Sequence, residues 1–163
     1  MDRRTVMVGL ALAGSNALGA GAAAQSEPAN PLIAAFAKTL SAHDIDAFAA
    51  LFAEDYVNHQ MSAAAPAPPP GVSAKEATVA FFTARLKGLP DPSVAVEASL
   101  ASVDMAAASF VYTGTHQGVY FGVAPTGKSL RFTSCDIFRI HDGKIAEHWG
   151  MGDIAGTLAQ LKG

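Results

Sequence analysis

Cysteine is nearly absent: Cys135 stands alone among 163 residues. An internal disulfide is therefore excluded, and the fold must rest on its core rather than on covalent staples. Charge is also sparse. Charged residues make up 15%, the formal net charge is −3, and Lys and Arg form no cluster. Phosphate backbones demand concentrated positive charge, so nucleic acid is not an expected partner. The spacings HxH and HExxH do not occur, and no metal centre is expected. Ser134 lacks a Gly-x-Ser-x-Gly elbow and Cys135 lacks a Cys/His setting, which leaves nucleophilic catalysis without its usual supports.

One long apolar run exists, VMVGLALAGSNALGAGAAA at residues 6–24, interrupted by Gly, Ser and Asn. It barely reaches the ~20 apolar residues of a bilayer span. Arg3-Arg4 precedes it and Ala22-Ala23-Ala24 closes it. That combination reads as a twin-arginine export signal over 1–24, followed by one domain over 25–163. The expectation is a periplasmic or secreted bacterial protein with no membrane association once the signal is removed.

Helix signals fill the first half of the remaining chain. Asn30-Pro31 reads as an N-cap with proline at the first helical position, and opens a helix through LIAAFAKTLSAHD. Asp44 starts a second short helix through Phe48, Leu51 and Phe52. Ser73 and Glu76 form a capping box ahead of a third, in which Val79, Phe82 and Leu86 recur at helical spacing. Between them, MSAAAPAPPPG at 61–71 holds four prolines and reads as a stiff extended loop, either flanking a pocket mouth or decorating the surface. After Pro92 the period becomes two. Val94, Val96, Ala98 and Leu100 alternate, and three further strands and a short closing helix follow. Helices first and an antiparallel sheet afterwards indicate an α+β domain with helices on one sheet face.

Asp142-Gly143 is a preferred pair for a two-residue hairpin loop, since both positions need positive φ. With that loop, His141 opposes Lys144 and Ile140 opposes Ile145. Phe138 then opposes Glu147, Asp136 opposes Trp149, and Ser134 opposes Met151. Opposed residues share a face. The more apolar face, carrying Ile140, Ile145, Phe138, Trp149, Met151, Asp136 and Glu147, is expected to be the inner one, with His148 on the other. Carboxyl groups among apolar neighbours are costly unless paired, protonated or open to a cavity. Desolvation raises their pKa toward neutrality and suits them to proton transfer. Hydrogen bonds accepted from buried backbone, Arg131, Arg139 or a nearby His are the structural alternative. His59 and His116 are candidates for the pocket rim.

Four segments together, FAEDYVNHQ (52–60), GTHQGVYFGVAPTGK (114–128), DIFRIHDGKIAEHW (136–149) and LAQL (158–161), resemble the SnoaL-like polyketide cyclases and ester cyclases. The resemblance covers essentially all of the chain after the signal. It implies the nuclear-transport-factor-2-like fold, a curved antiparallel sheet wrapped by N-terminal helices around a conical apolar cavity. It also implies a homodimer or higher homo-oligomer, no metal or organic cofactor, and aldol-type ring closure through an enolate. The cyclases' pocket histidine maps onto Asp136. Their acid/base aspartate maps onto Gly150, and the next acidic residue is Asp153.

Two functions follow as expectations. The first is a cofactor-independent acid/base enzyme (cyclase, isomerase, lyase or hydrolase) acting on a small apolar carbonyl or ester compound. Asp136 is its main acid/base group, assisted by His59, His116, Glu147 or Asp153, with Tyr56, Phe132, Phe138, Trp149 and Met151 lining the pocket. The second is a non-catalytic periplasmic binding protein using the same cavity, which the glycine at 150 favours. A structural oligomer with a vestigial pocket is the third reading.

Overall fold

Asn30 and Pro31 do open the first helix in a computed structural model, which describes residues 30–60 and 67–163. The elements are α1 (Pro31–Ser41), α2 (Ile45–Ala49), β1 (Phe52–Asn58), α3 (Ala74–Gly88), β2 (Ser93–Ala101), β3 (Met105–Thr115), β4 (Ser129–His141), β5 (Lys144–Gly152) and α4 (Ile154–Lys162). The expected export signal and residues 61–66 of the proline-rich loop lie outside the described residues. Among the described residues, no helix is long and apolar enough to cross a membrane.

Local chemistry accounts for the helix starts. The Asn30 side chain accepts from the Leu32 amide at 2.9 Å, and Asp44 caps α2 through the Ala47 amide. The capping box of α3 forms in full: the Ser73 amide donates to Glu76 Oε2 (2.8 Å) and the Glu76 amide to Ser73 Oγ (3.1 Å). Each bond satisfies an amide that a helix end leaves without a partner. Phe36 of α1 then builds the core. Its ring lies 5.0–5.6 Å from those of Phe48, Phe82, Phe110 and Phe138, drawn from α2, α3, β3 and β4. Ring contacts of this kind add about 0.5–1.5 kcal/mol each beyond area burial.

The sheet order is β1-β5-β4-β3-β2. α1 packs on β2 and β3, and α3 packs on β1. The α+β class holds, with two corrections. The second helix stops at Ala49, and FAEDYVN forms strand β1. Because β1 pairs with β5 in parallel, the open five-stranded sheet is mixed rather than purely antiparallel.

Candidate active site

The β4–β5 hairpin turns at Asp142 (φ 49°) and Gly143 (φ 71°), the paired positive φ values of the expected loop. His141 opposes Lys144 and Ile140 opposes Ile145, as read from the sequence. The register then slips. Beyond Ile140 a bulge intervenes, so that Arg139 opposes Glu147, Phe138 opposes His148, Ile137 opposes Trp149 and Asp136 opposes Gly150. One extra residue in β5 sends every later side chain to the opposite face.

Several site assignments change as a result. His148, expected outside, points inward and is 4% exposed. Glu147 and Trp149, expected inside, lie on the outer face. There His59 stacks on Trp149 (4.4 Å, 5°) and bonds Glu147 Oε2 at 2.7 Å, while Arg139 Nε donates to Glu147 Oε1 at 2.7 Å. These contacts hold the Glu147 carboxyl below its ordinary range, His59 contributing most. Met151 is 78% exposed and lines a groove on the outer face rather than the inner cavity. Asp153 caps α4 by accepting from the Gly156 amide. His116 is buried in the loop after β3, where the Thr126 amide donates to its Nδ1, and it does not line the cavity described next. Tyr56, Phe132 and Phe138 are buried in the core.

Asp136 remains on the inner face, 7% exposed, and it meets His148 across the strands. His148 Nε2 lies 2.8 Å from Asp136 Oδ1, and the Tyr56 hydroxyl lies 3.3 Å from His148 Nδ1. An ionised carboxylate only accepts, so Nε2 carries the hydrogen, and the bare Nδ1 is free to accept from Tyr56. Burial pushes the Tyr56 phenol up to about 12, with the nearby Asp136 charge adding to the effect against a bond from Thr78. It therefore stays a donor. Ser134 Oγ donates to the second oxygen, Asp136 Oδ2, at 2.5 Å. The Phe138 ring stacks on His148 at 5.0 Å and 16°.

Gly150 is what lets this pair close. A side-chain carbon there would overlap both Asp136 Oδ1 and His148 Nε2. The resemblance drawn from the sequence maps an aspartate onto this position. Here the Asp136 carboxylate reaches across from the neighbouring strand into the space that such a side chain would need.

The pair opens into a cavity of about 420 Å³, within the ~300–1,000 Å³ typical of small-molecule sites. One wall is the α3 face formed by Thr78, Phe81, Phe82 and Arg85; another is Tyr112 and Ser134 of the sheet. Ala67, Pro68 and Pro69 of the proline-rich loop also line it. His148 as an inward group, Ser134, Tyr112 and Arg85 were not found by sequence reasoning. For Arg85 the available signal was its helical spacing from Thr78, Phe81 and Phe82; the slip in β5 falls at Ala146, away from the glycines at 150 and 152.

A family model, SnoaL-like polyketide cyclase, matches residues 31–161. Solved structures agree. IdmH from Streptomyces antibioticus, a proposed polyketide cyclase, is 30% identical with a TM-score of 0.69, over 81% of this chain and 96% of that one. AclR from Streptomyces galilaeus, a proposed hydroxylase, is 26% identical with a TM-score of 0.69, over 80% of this chain and 78% of that one. A Catenulispora acidiphila protein with a ketosteroid isomerase-like fold shares that fold at 18% identity and a TM-score of 0.64, over 83% of this chain and 95% of that one. Among curated proteins, none matches this chain.

Proposed function

The chain belongs to the SnoaL-like polyketide cyclase family, whose chemistry is of the cyclase or isomerase kind, and from that premise we propose that Asp136 is its catalytic base. The observation that carries this reading is the buried Asp136–His148 contact at the cavity, with Tyr56 behind it. Asp136 takes the α-proton of a bound carbonyl compound; the C–H electron pair becomes the C=C bond and the carbonyl π pair moves onto oxygen to give an enolate. The enolate carbon then attacks a second carbonyl carbon of the same molecule, closing a ring, or regains a proton at another position. The proton held on Asp136 returns to the product, so nothing is oxidised, reduced or consumed. His148 acts as a positioning residue: its Nε2–H holds the carboxylate, and Tyr56 fixes its tautomer.

A direct test follows deuterium exchange at the α-carbon of 2-tetralone in D2O by NMR. The wild-type protein should accelerate exchange over buffer, and Asp136→Asn should remove about 10²–10⁴-fold of that acceleration. No acceleration by the wild type, or an unchanged rate in the variant, defeats the reading. The non-catalytic binding alternative predicts a ligand that is bound and returned with its hydrogens unexchanged.

For the partner, we infer a homodimer or higher homo-oligomer that covers the outer sheet face. Leu100 is 73%, Ile137 44% and Met151 78% exposed there, around a shallow groove beside Trp149. Clustered apolar exposure of this sort marks association surfaces.

A further inference from the structure

Arg85 is the one cation lining the described cavity, and nothing in the mechanism above uses it. It follows from Thr78, Phe81 and Phe82 at i+7, i+4 and i+3 on α3, so helical periodicity alone sets it on the cavity face. Its guanidinium carbon lies 4.9 Å from the ring centroids of Phe81 and Phe82, 4.7 Å from that of Tyr112 and 5.3 Å from that of Phe132. Four rings on three elements hold the cation over their faces. Ring faces attract the charge but leave the N–H edge of the group to bond elsewhere.

That edge has little protein to bond. Nε donates to the Tyr120 hydroxyl at 3.1 Å, and the Tyr112 hydroxyl stands close by. Among the described residues, no carboxylate comes within ion-pair distance of Arg85. Asp136, the nearest candidate by charge, already accepts from His148 on one oxygen and from Ser134 on the other. Burial opposes the charge on Arg85, but Tyr120, Tyr112 and Asp136 outweigh it and hold the group above its ordinary pKa. A half-buried guanidinium met only by hydroxyls is incompletely satisfied. Its fork matches a carboxylate or the coplanar oxygens of an enolised dicarbonyl.

We propose that Arg85 recognises an acidic oxygen of the substrate, a carboxylate or an enolic oxygen, so that the substrate class is an acidic aromatic or polyenolic carbonyl compound rather than a purely apolar one. This rests on the base assignment above for the reaction but not for binding. When Asp136 draws charge onto the substrate oxygen, a preorganised cation on the opposite wall stabilises that charge as it develops.

Calorimetric titration with 2-naphthoate and its neutral isostere 2-naphthamide tests the recognition without any variant. The wild type should bind the carboxylate about ten- to a hundredfold more tightly, the range of a charge-assisted bond. Arg85→Met keeps an apolar stem and should bring the two ligands to parity, while Arg85→Lys should restore part of the preference. Circular dichroism establishes that each variant is folded. Equal binding of both ligands by the wild type overturns the proposal, as does a preference that survives in a folded Arg85→Met. Asp136→Asn should retain or increase the preference for naphthoate. If it does while 2-tetralone exchange fails in the wild type, the base assignment falls and Arg85 stands. If exchange proceeds and the preference is absent, the reverse holds.

Discussion

Neighbouring residues of β5 meet opposite fates. His148, on the inner face, touches Phe138, Tyr56 and Asp136 and is 4% exposed. Glu147, one residue earlier and on the outer face, pairs with His59 and Arg139 where solvent reaches all three. Each face thus holds a histidine–carboxylate contact at 2.7–2.8 Å, yet the two contacts differ in what they can do. Water screens the outer pair and competes for its bonds. The inner pair sits in a low-dielectric cavity where a fixed donor strongly biases proton transfer. Distance alone does not separate the two pairs; enclosure does.

The largest effect that would separate the two faces comes from their histidines. His148→Gln should cost about a hundredfold in 2-tetralone exchange, near the lower end for a positioned acid/base assembly, whereas His59→Gln should leave exchange unchanged. Equal losses in the two variants would erase the distinction. Next comes Gly150→Ala, whose added carbon must push Asp136 and His148 apart. Misplacement on that scale costs up to about a hundredfold, and NMR exchange rates alongside an intact circular dichroism spectrum would show it.

A smaller effect should appear on the outer face alone. Ile137→Lys places a charge in the exposed apolar patch, and should shift sedimentation toward monomer while exchange per chain persists. The smallest concerns pH. Glu147 titrates below its ordinary 4.5 because His59, and then Arg139, bond its ionised form. A depressed carboxyl stabilises the fold above its unfolded pKa and loses that contribution as pH falls through the folded value. The thermal stability gap between wild type and Glu147→Gln should accordingly be present near neutrality and shrink below about pH 4.5, with turnover unaltered.

Much of the scaffold was legible because its signals are local. Caps at Asn30, Asp44 and Ser73 lie within three residues of the amides they satisfy, and the Asp142-Gly143 turn needs only its own backbone angles. β1 escaped for an equally physical reason. Phe48, Phe52 and Tyr56 are all buried and recur every fourth residue, which mimics a helix, although the chain turns into a strand at Phe52. The candidate site was half legible. Asp136 could be placed inward from the hairpin, but its true partner could not, since the slip beyond Ile140 depends on how β5 fits against β1 as well as β4.

Composition, capping and turn chemistry by themselves determined an α+β domain without disulfides, the positions of its helix starts, and an inward carboxylate on β4. Tertiary structure decided which histidine that carboxylate meets and which arginine faces it. The reason lies in the period of a strand. A single extra residue in β5 reverses the face of everything beyond it, and the balance that places this residue is struck between strands and helices far apart in the chain.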